Sequence, residues 1–349
     1  MASLSTIFQS TLKIFGFPLN TIKFPTLLRI VCTMVIMINV KSSLRNDSHS
    51  FAKCLENAMY VYCVNAIHLI SIFNRKSLMK LFNEIGNYIG NERICNLRTK
   101  WRITLFAIII SLISDIVVYD TWAASEGIPF EYQIFGHKIT GIAGNVVSTI
   151  ETLISFSSGG VLLKVWVAIY NISLVSFVHV HQVFFDHFDH FCESRTKSNI
   201  IALRLEWRYI LRLRSQFDDL FSLIPFITYM ELFFKASLYL INTEQTNFEF
   251  TFTVVMYWWW FVAQVILTSM NIVSIDYVNH KMVTLFDAFV IQCIRSRNSD
   301  LDQLRHEIES DLKMSITGWK MYDINRSFVL NYLSALVTFS VLFMQILSN

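Results

Sequence analysis

Residues 158–181 read SGGVLLKVWVAIYNISLVSFVHVH, an apolar run in which Lys164 is the single lysine, arginine or carboxylate. A bilayer's hydrocarbon core is about 30 Å thick, so about 20 mostly apolar residues are needed to cross it as a helix. Lipid offers no hydrogen-bond partner to a backbone, and a helix is the form in which one such segment satisfies its own. Six further apolar blocks lie on either side of this one, at 24–43, 55–73, 103–122, 220–242, 250–275 and 328–347. The whole chain has 349 residues, 54% of them hydrophobic and 16% charged, with a mean hydropathy of +0.46. A soluble domain carries roughly 25% charged residues and spreads its apolar ones in periodic stripes. The predicted fold class is therefore all-α, a polytopic seven-transmembrane helical bundle.

Lysine and arginine accumulate in the short cytoplasmic connections of membrane proteins, whereas acidic residues contribute little to orientation. The second-to-third connection carries Arg75, Lys76, Lys80, Arg93, Arg98, Lys100 and Arg102. The fourth-to-fifth carries Arg195, Lys197, Arg204, Arg208, Arg212 and Arg214. Lys281, Arg295, Arg297, Arg305, Lys313, Lys320 and Arg326 follow in the sixth-to-seventh, and Lys13 and Lys23 sit in the N-terminal tail. Against these, the alternate connections hold Arg45, Lys53 and Lys138. The expected topology has a cytoplasmic N-terminus and an extracellular C-terminus. Asn46, in the sequon Asn46-Asp47-Ser48 of the first loop, is the glycosylation candidate, although Asn325-Arg326-Ser327 is also a sequon and falls inside. The orientation, with no Asn-Pro in the last span and no Asp-Arg-Tyr after the third, argues against a G-protein-coupled receptor.

Two connections are themselves helical in pattern. Leu301, Leu304, Ile308, Leu312 and Ile316 recur every three or four residues between charges, and 183–217 mixes aromatics with Arg and Asp at similar intervals. The expectation is a cytoplasmic helical anchor layer, with the fourth span continuing into it. Segment 123–157, interrupted by Gly127, Pro129, Gly136, Gly141 and Gly144, is expected to be the largest external connection. The first 23 residues do not form a signal peptide pattern, because Lys13, Gly16 and Pro18 break the early apolar stretch, so the first span is expected to direct insertion. Cys32, Cys54, Cys63, Cys95, Cys192 and Cys293 show no CxxC pairing. No phosphate-cradling glycine loop, Gly-x-Ser-x-Gly or His-Glu-x-x-His occurs, so no enzyme, catalytic residue or cofactor is expected. Scattered basic residues and a net charge of +3 give no nucleic-acid surface.

Residues 321–345 read MYDINRSFVLNYLSALVTFSVLFMQ, followed by Ile346. This resembles the signature of the insect gustatory receptor family, whose last helix carries Thr-Tyr, five hydrophobic residues and Gln-Phe. Thr338 and Gln345 stand at the matching spacing, while Phe339 replaces the Tyr, Ile346 replaces the Phe and Ser340 departs from the hydrophobic run. The resemblance extends to the seven-helix arthropod chemoreceptor superfamily that includes the insect odorant receptors. It implies a ligand-gated cation channel for small-molecule tastants, assembled as a homo- or heterotetramer in the plasma membrane of sensory neurons. It divides the chain into 1–275, ligand-binding helices one to six with their cytoplasmic extensions, and 276–349, an anchor helix and the pore-lining seventh helix. Thr338, Val341, Leu342 and Gln345 are the implied pore residues, with hydrogen bonding between helices as the alternative role for Thr338 and Gln345.

An apolar ligand cavity among the outer halves of spans two to six would draw on Tyr119, Trp122, Tyr229, Tyr239, Tyr257 and Trp260. Trp258, Trp259 and Trp260 cannot share one helix face, and interfacial anchoring is their competing role. Glu231 and Lys235, four residues apart, read as a structural ion pair; Asp115 and Lys164 are two further ionisable residues within spans, whose pairing the sequence leaves open. His179, His181, Asp186, His187, Asp189 and His190 read as a juxtamembrane amphipathic stretch rather than a metal site. Two further classes compete with the channel: a seven-helix receptor or partner-requiring subunit that does not conduct, and a secondary transporter, which the lack of an internal repeat disfavours.

Overall fold

Among the helices that charge pattern and apolarity build, the one from the 158–181 run occupies the centre. The computed structural model describes residues 66–125, 132–134, 137–139, 162–194, 197–233, 252–296, 299–311, 317–318 and 322–323, with isolated positions in 7–13 and 328–345. The 24–43 span, Asn46, Lys235 and Tyr239 lie outside the described residues. In chain order the elements are α1 (Arg75–Ser125), a hairpin of β1 (Tyr132–Ile134) and β2 (His137–Ile139), α2 (Leu162–Ser194), α3 (Lys197–Phe221), α4 (Phe252–Ser296), α5 (Ser299–Asp311) and a second hairpin of β3 (Thr317–Gly318) and β4 (Tyr322–Asp323). Stretches 66–73 and 223–233 are helical as well. The fold is all-α, and its strands are two short antiparallel hairpins, β1 to β2 within the segment expected as the external connection and β3 to β4 just before the last helix.

From 162 to 185 α2 is mostly apolar and has no exposed face, as befits a helix inside a bundle. Trp166, Ile169, Tyr170, Leu174, Phe177, Val180, Phe184 and Phe188 are all buried. Its Leu162–His190 portion is long and apolar enough to cross a membrane. α1 and α4 pack along it, and α3 lies across its lower half. Ring contacts tie them: Tyr170 stacks on Phe217 at 5.5 Å, Phe184 meets Trp207 at 5.3 Å, and Phe188 meets Phe289 edge-on at 4.3 Å. α3 has the narrower stripe expected of a surface helix, burying Leu203, Trp207, Ile210, Leu213, Phe217 and Phe221 at three- and four-residue spacing. α5 does the same with Leu301, Leu304 and Ile308; Leu312 and Ile316 of the predicted stripe lie outside the described residues.

Two stretches reverse the usual distribution of polarity. On α1, Ile103, Phe106, Ile109, Ile110 and Ile113 are exposed, and on α4 so are Trp258, Trp259, Val262, Ile266, Met270 and Val273. Contiguous apolar surface of this extent is unfavourable in water and fits hydrocarbon. The basic connections are not loops. Arg75 to Arg102 continues the 103–122 span as helix, α2 runs unbroken to Ser194 as expected, and α4 passes through residues 275 and 276 without interruption.

The exception to continuity in α1 is Gly90, at φ 80° and ψ 168°. A Cβ there would meet nothing within 4 Å, so the backbone conformation rather than space selects glycine. The break lets Arg75–Ile89 pack Leu81, Phe82 and Ile85 inward while Asn91 onward realigns to bury Ile94, Leu97 and Trp101. Gly90→Ala is expected to cost about 1–3 kcal/mol, the penalty for a side chain in this region. Unfolding in mixed micelles measures it, and an unchanged or raised midpoint would mean that residue 90 is not held in this conformation.

Candidate functional site

The last helix presents a stripe that the single chain leaves uncovered. Asn331, Ser334, Ala335, Val337, Thr338, Val341, Leu342 and Gln345 are all exposed. At about 100° per residue, Ser334, Thr338, Val341 and Gln345 form its centre and Leu342 flanks them. All four predicted pore residues therefore share one face. The Thr338 hydroxyl donates to the Ser334 carbonyl of its own helix at 2.9 Å, which satisfies it locally. The stripe alternates polar with aliphatic groups, a composition suited neither to lipid nor to a closed core.

The other side of this helix is held by Phe328 and Tyr332, one turn apart. Tyr332 O–H donates to the Tyr229 carbonyl at 2.6 Å, and the Tyr229 ring packs on Phe328 and Tyr332 at 4.9 and 5.6 Å. Tyr229, one of the predicted pocket aromatics, is thus buried as a helix-to-helix contact. Tyr119 and Trp122 fall on α1 and Tyr257 and Trp260 on α4, at positions whose side chains lie outside the described residues. Trp258 and Trp259 are exposed, consistent with an interfacial role.

Several polar side chains inside the bundle have specific partners. Lys164 donates to the Ser111 hydroxyl of α1 at 2.7 Å; the Asp115 side chain lies outside the described residues. Asn171 donates both to the Val167 carbonyl and to the Asn271 side chain, at 2.8 and 2.9 Å, joining α2 to α4. Glu231 is buried. The histidine run splits to different sides: His181 Nδ1–H donates to the Phe177 carbonyl at 2.6 Å, His179 pairs with Gln182, and His187 turns toward Glu206. Among the described residues no three His, Cys, Asp or Glu side chains are placed to share a metal ion.

Below the apolar band the basic residues form a charged helical layer. The Glu206 carboxylate of α3 accepts from Tyr88 of α1 at 2.5 Å and faces His187 of α2 at 2.8 Å. Arg93 bonds Asp186 at 2.7 Å, Arg204 faces Glu307 at 3.3 Å, and Arg212 lies over the Tyr209 ring at 4.9 Å. Burial, and then the hydrogen bond to Glu206, push the Tyr88 phenol well above the ordinary tyrosine range. A phenol held neutral remains a donor to that carboxylate. Nothing in a single sequence announces that Tyr88, His187 and Glu206 meet, because they come from three separate segments. A double-mutant cycle of Tyr88→Phe and Glu206→Gln is expected to give a coupling of about 1.5–3 kcal/mol in unfolding experiments, as a hydrogen bond to a charged acceptor does. Strictly additive effects would contradict the contact.

No protein-family model matches the chain, and no curated protein matches its sequence. Among solved structures, the insect olfactory receptor OR5 from Machilis hrabei in complex with eugenol aligns with 98% of this chain and 97% of its own, at a TM-score of 0.71 and 14% sequence identity. The chain has the fold of that receptor, a seven-transmembrane helical bundle.

Proposed function

We propose that the chain is a gustatory-type chemoreceptor, a ligand-gated cation channel that opens when a small-molecule tastant binds. It works as a tetramer, of itself or with related subunits, in the plasma membrane of sensory neurons, with its N-terminus in the cytoplasm. The observation that carries this reading is the stripe of Ser334, Thr338, Val341, Leu342 and Gln345, exposed on the last helix of a single chain. An exposed face that mixes hydroxyl and amide groups with aliphatic ones at membrane depth suits a water-filled lumen or a neighbouring subunit better than hydrocarbon. Copies of the last helix arranged around an axis supply both. Val341 and Leu342 then form an apolar constriction that closes by dewetting, while Thr338 and Gln345 contribute hydrogen-bonding oxygens along the path.

The likeness to a receptor solved with eugenol supports a small, largely apolar organic ligand. Tyr119, Trp122, Tyr239, Tyr257 and Trp260 are the proposed wall residues of its cavity. Tyr229, engaged by Tyr332, is better placed to transmit an occupied cavity to the pore than to touch the ligand. Movement of the 223–233 helix would act on the last helix directly through that hydrogen bond. A second reading, a subunit that conducts only beside a partner, is favoured by Phe339 and Ile346, which stand where the gustatory signature has Tyr and Phe.

Whole-cell recording tests both, with a panel of sugars and bitter compounds applied to cells expressing the chain alone. The expected outcome is an agonist-evoked cation current that persists when G-protein signalling is blocked. Gln345→Ala should alter its relative permeability, and Leu342→Ser should raise the current without agonist by loosening the constriction. Silence from a chain shown to be at the cell surface, with current restored by a related subunit, would select the second reading. Silence under both conditions, with ligand binding intact, would sink the channel.

A further inference from the structure

α5 is acidic at its start, with Asp300 and Asp302 in its first turn, and has no basic residue in its last turn. The carbonyl groups that end a helix carry partial negative charge and lack intrahelical partners, so a cation there stabilises the end. In α5 that cation comes from another helix. Arg214 of α3 donates from Nη1 to the main-chain carbonyl of Asp311, the last α5 residue, at 2.7 Å. Burial lowers this guanidinium to about 10, and the Asp311 carboxylate acts in the opposite direction, so it stays charged at neutral pH. Arg204, on the same helix, faces Glu307.

The place where this cap sits matters. The chain leaves α5 at Asp311, passes through the β3 to β4 hairpin, with Thr317 opposite Asp323 and Gly318 opposite Tyr322, and enters the last helix. That helix is fastened by Tyr332 to Tyr229. Backbone bonding joins α3 to the 223–233 stretch through Ser222 N–H to Asp218 at 2.9 Å. One helical rod, 197–233, therefore holds the connection at both ends: Arg214 where it leaves α5, and Tyr229 where the last helix begins.

We propose that Arg214 is a positioning residue for the last helix: by capping α5 from α3 it fixes the departure point of the chain, so that rod and last helix move as a unit. The assignment of the last helix as the gate rests on the function proposed above, but the positioning itself does not need it. Hydrogen exchange of the full chain in lipid nanodiscs reads it directly, comparing Arg214→Met and Arg214→Lys with the unmodified protein. Arg214→Met should speed exchange by about tenfold at the end of α5, through the 317–323 hairpin and in the first turns of the last helix. Amides at 78–89 of α1 should be unchanged. Arg214→Lys, which keeps the cation and loses the planar fork, should fall between. Unchanged exchange in Arg214→Met overturns the proposal. So does a rise spread evenly over all helices with both variants, since that would make Arg214 a general packing residue. A chain that shows the local rise and yet carries no current under any condition would retain the positioning role and lose the channel assignment.

Discussion

The structure depends on the enclosure of α2. A helix apolar on all sides gains most when every face is covered, and here α1, α3 and α4 each take one. The contacts are largely aromatic: Tyr170 on Phe217, Phe184 on Trp207, Phe188 on Phe289. Offset and edge-on ring pairs have directional preferences that aliphatic contacts lack, so they favour particular helix-to-helix placements as well as burying area. Within this apolar column, the hydrogen bond between Asn171 and Asn271 aligns α2 with α4, since sliding one past the other would break it.

Around that column the molecule divides by solvent. The upper parts of α1 and α4 turn isoleucine, phenylalanine and tryptophan outward, whereas the lower part of α1 brings Tyr88 and Arg93 to the charged layer. Because α1, α2 and α4 are continuous between the two regions, displacement in one is carried to the other by stiff helices rather than by loops. Gly90 is the place where α1 changes direction. Tyr88, two residues before it, ties the lower segment to Glu206, so the bend lies next to a polar contact of the layer.

The last helix stands apart from this arrangement. Phe328 and Tyr332 face the bundle, and the opposite stripe is exposed on the single chain. Among the described residues, the rod formed by α3 and 223–233 joins it to the bundle, touching the charged layer through Arg204 and Arg214 and the last helix through Tyr229. On the proposed function, a small shift of that rod changes the exposed stripe without rearranging the α2 core.

Much of this was legible in the sequence, because burial and solvent act on local pattern. Apolar block length marked the helices that run through 103–122, 162–181 and 252–275. Spacing of three and four residues marked the α5 stripe at Leu301, Leu304 and Ile308, and the position of Thr338 and Gln345 placed the candidate pore face on one side of a helix. The basic connections were legible as helical at 183–217 but not at 75–102, where charges at both faces hide the inward row of Leu81, Phe82, Ile85, Ile94 and Leu97. Tertiary structure alone decided that Tyr229 belongs to a contact with Tyr332, that Lys164 reaches Ser111, that the histidines diverge, and that α5 borrows its C-terminal cation from α3. Each of these joins residues far apart in the chain. Local sequence determines which groups must be satisfied, whereas which distant partner satisfies them depends on how the helices pack.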